Sequence, residues 1–376
     1  MGQINTIAVT GDGGFMGRYR LFYDVLAERC QHLERVASGD VYDHLFPGKV
    51  LKALFLVTTL GSKDGHPWQL KLHKRKAAFL RKSRQTERTV QRLARRPDLV
   101  FHVFGMYAPF LHESPIPFTM TLDYTMALAI EEWPAWAPFD GDKDRRDWLE
   151  VEGDAYKRAA HLFPWSNRTK QSLMKDYGIS EDKITVIGSA GQFRHPYEGS
   201  KSLGSRQLIF NGSDWDRKGG DLVLAAFRKV LQVMPNATLV VIGIDKEITE
   251  AGVICPGHIA TPDAMKELML GSDLLLAPAR CEPYGNFLVE GMNYGVPCIA
   301  ANRGGMPEIV DHGVNGLVLE ETNPDTLAEA IISLLSDPAR LERFSESARL
   351  KVKTELNWDR IADKIFGALQ ARGIPS

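Results

Sequence analysis

The chain has 376 residues, a formal net charge of −1, 25% charged and 44% hydrophobic residues. That length accommodates two domains, each with its own core, and the balanced charge excludes a global attraction to nucleic acid. Four cysteines, Cys30, Cys255, Cys281 and Cys298, lie far apart without metal-ligand spacing. A reducing cytoplasmic compartment is therefore expected rather than a disulfide framework, with Cys255 and Cys298 as packed thiols. The first residues, MGQINTIAVTGDGG, lack a basic segment followed by a long apolar core, and the longest apolar runs are too short to cross a bilayer. Neither a secretory signal nor a transmembrane helix is expected.

Strand-like and helical segments alternate along the chain. Residues 4–10 read as a strand that runs into Gly11-Asp12-Gly13-Gly14, and 18–28 read as a helix. Further strands are predicted at 52–58, 99–103 and 118–122. From Asp182 the text KITVIGSAGQFRHPYEGS reads as a strand followed by a hinge rich in glycine, serine and proline. A second set follows, with strands at 208–210, 238–242, 253–255, 274–279 and 297–300 and helices at 220–234, 263–270 and 324–335. The tail 338–371 reads as two helices split near Asn357-Trp358. Such alternation predicts an α/β fold of doubly wound parallel sheets, whose ligands bind beyond the carboxyl ends of the strands.

The stretch KLHKRKAAFLRKSRQTERTVQRLARR, from Lys71 to Arg96, has Glu87 as its one acid, with Phe79, Leu80, Val90 and Leu93 giving it amphipathic character. Three readings stand: a solvated helix face, a site for an acidic or phosphate-bearing acceptor, or a contact with an anionic membrane surface. The aromatic run Trp133, Trp136 and Phe139 suits packing in a core or loop, or stacking on an acceptor sugar.

The most informative block is CEPYGNFLVEGMNYGVPCIAANRGGMPEIV, from Cys281 to Val310. Glu282 and Glu290 stand eight positions apart around Pro283-Tyr284-Gly285. A strand, a glycine turn and a helix start aim main-chain N–H groups at one spot suited to an anion. The flanking carboxylates suit sugar hydroxyls, as acceptors of their hydrogen bonds. An anion cradle between two hydroxyl-binding acids describes a nucleotide-sugar; the bland alternative is one solvated loop acid and one helix-surface acid. Upstream, NGSDWDRKGG follows a strand and opens a helix. Its adjacent cations Arg217 and Lys218 suit a diphosphate, or form a solvated pair at a helix start.

The order Glu-Pro-Tyr-Gly, Glu-Gly-Met, Gly-Val-Pro-x-Ile-Ala and Gly-Gly-x-Pro-Glu-Ile-Val resembles the donor site of retaining glycosyltransferases of family 4. The resemblance implies the GT-B fold, two Rossmann-like domains facing a cleft. These would be an acceptor-binding domain at 1–192, a donor-binding domain at 193–355 and a returning C-terminal helix at 356–376. It implies that Glu282 contacts the donor sugar, that Glu290 holds the ribose, and that amides of Gly285, Asn286 and Phe287 lie against sugar and phosphate. Lys218 matches the family's lysine, whereas Ser213 fills the place of its arginine, a charge that Arg217 would supply from a shifted position. Gly13 and Gly14 match a Gly-Gly turn approaching the donor phosphates or the acceptor; a plain tight turn is the other reading. Asp123 holds the place usually taken by a histidine near the reacting sugar, with His102 a second candidate. No metal site and no cofactor are implied: a nucleotide-diphosphate sugar is the donor substrate. The expected activity is transfer of its sugar to an acceptor hydroxyl of a glycan, glycolipid or small molecule. A donor-binding protein without turnover, and an epimerase or phosphorylase on the same fold, are the alternatives.

Overall fold

The structure, a computed structural model, describes residues 5–39, 50, 68–245 and 247–374. It divides into two compact units, one of Met1–Ile187 with Ala362–Ser376, the other of Gly188–Ile361. The helix Trp358–Ala371 begins in the second unit, and from Ala362 onward its residues group with the first, where Asp363 pairs with Arg29.

In the first unit the described strands form a parallel sheet in the order β2-β1-β3-β4-β5. They are β1 (Thr6–Asp12), β2 (His32–Ser38), β3 (Leu99–Val103), β4 (Phe118–Leu122) and β5 (His161–Pro164). Every residue of β3, β4 and β5 is buried, as strands covered on both faces require. β3 and β4 lie where the sequence predicts them. The strand predicted at 52–58 lies outside the described residues. β2, HLERVAS, is mostly polar and lies at the edge among the described strands, and β5, HLFP, sets two apolar residues between a histidine and a proline, so neither reads as an apolar run.

The helix predicted at 18–28 is present as Arg20–Ala27; a separate helix, Gly13–Arg18, precedes it, and Tyr19 between them leaves helical geometry and packs its ring edge-on against Phe104 and Trp165. One expectation is corrected. The strand predicted after Asp182 reduces to one isolated bridge between Ile184 and Leu162. The segment runs beside β5, with Thr185 and Ile187 donating to the carbonyls of Leu162 and Pro164.

The basic stretch forms the helices Trp68–His73 and Lys76–Gln91. Phe79 and Val90 enter the core while Arg81, Arg84 and Arg88, three and four residues apart, share the exposed face. Trp136 and Phe139 pack against the same core. Trp148, on the helix Asp142–Arg158, is fully buried, its ring perpendicular to Phe79 with centroids 5.5 Å apart.

In the second unit six strands run parallel in the order β11-β10-β9-β6-β7-β8. They are β6 (Gln207–Asn211), β7 (Thr238–Ile242), β8 (Val253–Gly257), β9 (Leu274–Ala277), β10 (Cys298–Ala301) and β11 (Gly316–Leu319). All but β11 overlap a predicted strand. The helix Gly220–Val233 packs against Pro324–Leu335 over a core that includes Phe210, Phe227, Leu276 and Ile331. Fully burying a side chain of this size stabilises by about 1.5–3 kcal/mol relative to exposure. Cys298 is buried as expected, but Cys255 is only half-buried on edge strand β8, and all four thiols are free.

Trp148→Ala removes the largest fully buried side chain of the first unit and leaves a cavity beside Phe79. The expected loss is about 3–5 kcal/mol in the unfolding free energy of that unit by chemical denaturation. A loss below about 1 kcal/mol would contradict this packing.

Candidate active site

The strand order of the second sheet reverses between β6 and β9: the chain leaves β6 toward β7 on one side and leaves β9 toward β10 on the other. Loops that part in this way open a crevice beyond the carboxyl ends of the two strands. A pocket lies there, lined among others by Asn211, Lys218, Glu282, Gly285 and Phe287. Residues that are 71 positions apart in the chain, Asn211 and Glu282, thus share one wall.

The β6 side is built by a short helix, Trp215–Lys218, ended by Gly219 in the left-handed region (φ 78°). A Cβ on Gly219 would stand 2.6 Å from the Pro278 carbonyl oxygen. Glycine therefore brings the lysine loop against the β9 loop, and this accounts for the Lys-Gly pair. The two loops are tied by the Arg280 N–H donating to the Arg217 carbonyl at 2.8 Å. Lys218 is half-buried, its ammonium 3.1 Å from Ser213 Oγ. Burial pulls its pKa down, and Glu282, Asp214 and Glu290 push it back up. Arg217 is 7% exposed. Its guanidinium donates to Asp214 Oδ2 (2.6 Å), the Cys281 carbonyl (2.7 Å) and Glu282 Oε2 (3.0 Å).

On the β9 side, Glu282-Pro283-Tyr284-Gly285 leads into the helix Asn286–Asn293. Gly285 is its N-cap (φ 108°), no side chain caps the first turn, and no acid occupies it. That turn is a positive dipole end facing the pocket that Gly285 and Phe287 line. The Gly304-Gly305 turn braces the loop, Gly305 N–H donating to the Pro283 carbonyl at 3.1 Å. Glu290 lies one turn into the helix and accepts from the Gln192 N–H at 3.3 Å. Burial raises its pKa to about 7, against the Gln192 N–H and the Lys218 charge, which lower it.

The structure therefore brings Arg217, Lys218, Glu282, Gly285, Asn286, Phe287 and Glu290 to one end of one sheet. Gly13, Gly14 and Asp123 belong to the first unit. Gly13 and Gly14 open the helix after β1, and the Gly14 N–H donates to Asp12 Oδ1 at 3.2 Å. Asp12 in turn receives the buried Lys82. Asp123 follows β4, its carbonyl accepting from Thr169 Oγ1 at 2.7 Å. Behind it, Glu152 is buried and accepts from the Met126 N–H, the Tyr156 hydroxyl and the Tyr177 hydroxyl. Burial pushes Glu152 up and Lys74 down in pKa, each partly offset by the other's charge. Sequence reasoning missed Asp12, Lys82, Glu152 and Lys74, because nothing in the spacing of single charges marks them as meeting. His102 is a packed core residue: Nδ1 is 2.7 Å from Thr10 Oγ1, and burial lowers its pKa to about 3. Among the described residues no group of three or more His, Cys, Asp or Glu is placed to hold a metal ion. None of the described helices is long and apolar enough to cross a membrane.

Residues 195–351, which hold this site, match the family model described as Glycosyl transferases group 1. An uncharacterized glycosyltransferase of Methanocaldococcus jannaschii is 27% identical over 224 residues, 52% of this chain and 56% of that protein. This chain spans about half the length of the curated relatives it matches. A sucrose-phosphate synthase from Thermosynechococcus elongatus superposes with a TM-score of 0.71 at 16% identity, covering 99% of this chain and all of that one. The Anabaena protein HepE in complex with UDP does so with a TM-score of 0.67 at 18% identity, covering 97% of this chain and all of that one. These likenesses show the fold, GT-B, with a Rossmann-like sheet in each unit.

A carboxyl whose folded pKa is raised favours folding while it is protonated and opposes it once ionised. For Glu290, raised from 4.5 to about 7, that opposition grows as pH rises through this window, to at most about 3 kcal/mol. Glu290→Gln is therefore expected to match wild type in thermal midpoint near pH 5 and to exceed it by several degrees at pH 8. A variant less stable than wild type at pH 8 would contradict the raised pKa.

Proposed function

We propose that the protein is a retaining glycosyltransferase of the family 4 type, whose second unit binds a nucleotide-diphosphate sugar. The observation that carries this reading is the coincidence of the family match over 195–351 with a switch-point pocket lined by a lysine, a carboxylate and an uncapped helix start. Each group has a role that its chemistry dictates. The diphosphate lies at the start of the helix Asn286–Asn293, against the amides of Asn286 and Phe287, with Lys218 as its cation. Glu290 accepts hydrogen bonds from the ribose hydroxyls and Glu282 from the sugar. The first unit takes the acceptor, with Asp123 and the Gly13-Gly14 turn as its proposed contacts.

In the reaction the bond between the anomeric carbon and the diphosphate oxygen breaks, and a bond to the acceptor oxygen forms on the same face of the sugar. The acceptor proton passes to the departing diphosphate, which serves as its own base. Negative charge grows on that diphosphate in the transition state, and fixed donors aimed there lower the barrier. Holding donor and acceptor in register supplies the rest.

An anionic lipid surface is the proposed partner of the helix Lys76–Gln91. Lys76 is paired with Glu150 and Arg75 with Asp140. Arg84, Arg88 and Arg92 form an exposed row and pair with no acid among the described residues. A row of guanidinium groups suits phosphate headgroups.

Three experiments test these readings. In a thermal-shift screen of nucleotides and nucleotide-sugars, one nucleotide-sugar should stabilise wild type by about 2.7 kcal/mol at 100 times its Kd, and Glu290→Ala and Lys218→Ala should lose the shift. No shift with any compound in a folded protein would overturn the donor site. Slow release of free sugar without acceptor would separate a transferase from a mere binder. For the surface, wild type should sediment with phosphatidylglycerol vesicles at low salt and not with phosphatidylcholine vesicles. Charge reversal of Arg84, Arg88 and Arg92 should abolish this; equal sedimentation of wild type and variant would assign the row to solvent.

A further inference from the structure

Arg217 and Lys218 are neighbours in the chain, yet their surroundings separate them. Lys218 reaches the pocket with its ammonium close to one neutral hydroxyl, Ser213 Oγ. Arg217 is buried, and its guanidinium lies between two carboxylates, Asp214 on the Nε side and Glu282 on one terminal nitrogen, with the Cys281 carbonyl on that same nitrogen. Asp214, Arg217 and Glu282 together carry a formal charge of −1. Such a trio does not attract a diphosphate, and turning the guanidinium toward one would strand two acids. The planar fork of an arginine is suited to holding a carboxylate in one orientation. Arg217 bonds one oxygen of Glu282, Oε2, and among the described residues no hydrogen bond is made to the other. Glu282 lines the pocket with a side chain 21% exposed.

We propose that Arg217 is a positioning residue that acts through Glu282, fixing the acid that recognises the transferred sugar, and that within this unit Lys218 is the cation that meets the diphosphate. The proposal rests on the donor-site reading above. In this chain the two neighbouring cations thus have different tasks: Lys218 serves any nucleoside diphosphate, whereas Arg217 serves only a ligand that carries a sugar.

The test compares affinities for a nucleoside diphosphate and its sugar ester, beginning with UDP and UDP-glucose and with GDP and GDP-mannose. Wild type, Arg217→Gln, Glu282→Gln, the double variant and Lys218→Ala are titrated by calorimetry, each after its thermal midpoint confirms folding. Arg217→Gln should keep nucleoside diphosphate affinity within about twofold and lose about tenfold toward the nucleotide-sugar, the size of one charged hydrogen bond. Lys218→Ala should lose affinity for both ligands. The double variant should be no weaker than Glu282→Gln alone, because two residues acting through one contact are not additive. Arg217→Lys keeps the charge but not the fork, and should recover part of the loss and fold where the glutamine variant does not. Equal losses for both ligands in Arg217→Gln or Arg217→Lys, or additive losses in the double variant, would overturn the proposal and make Arg217 a diphosphate clamp. Failure of wild type to bind any of the four would overturn the donor-site reading itself, and this proposal with it.

Discussion

The reversal of strand order between β6 and β9 is the constraint on which the site depends. Neighbouring strands whose helices leave to opposite sides cannot close the space between their loops, so the loops become the walls of a crevice. Everything placed there follows from that parting. Lys218 rides the loop after β6, and Glu282 rides the loop after β9. Gly219 permits the two loops to touch, and the Arg280–Arg217 main-chain bond fastens them. The anion cradle is the start of the helix Asn286–Asn293, whose axis is set by its packing on the same sheet. The site is thus a by-product of topology, refined by a few residues that could act only there.

Those refinements carry costs to the fold. Glu290 is a carboxyl that burial disfavours, and Arg217 is a buried cation that needs two carboxylates and a carbonyl to be tolerated. An apolar residue at either place would suit the fold better, and proteins commonly keep such groups where function requires them. The first unit has a comparable feature in Glu152 and Lys74, which lie behind the turn that carries Asp123. There the buried carboxylate satisfies the first amide of the helix Met126–Glu132, and so shapes the turn.

What was legible in the sequence follows the same division between local and tertiary causes. The strands β3, β6, β7 and β9 announce themselves as apolar runs, as strands covered on both faces tend to, and β4, FTMTL, by its alternation. The Glu-Pro-Tyr-Gly block and the Lys-Gly pair are readable because each residue answers a local need: a helix start, a close approach, a turn. β2 and β5 were not readable, since β2 is mostly polar and β5, HLFP, sets only two apolar residues between a histidine and a proline. The break at Tyr19 was not readable either, because its cause is the ring packing of Phe104 and Trp165 from distant parts of the chain. Arg217 is the sharpest case. Its charge and its place beside Lys218 predicted a partner for phosphate; Asp214, three residues before it, is a local partner, but no local signal shows that Glu282 holds it as well.

The central claim is that the crevice between β6 and β9 is a nucleotide-sugar site. A crystal structure with a bound nucleoside diphosphate tests it most directly. The account predicts the diphosphate within hydrogen-bond distance of Lys218 Nζ and the Phe287 amide, with the ribose hydroxyls on Glu290. A nucleotide bound elsewhere, or lying in the crevice with its ribose away from Glu290, would contradict it.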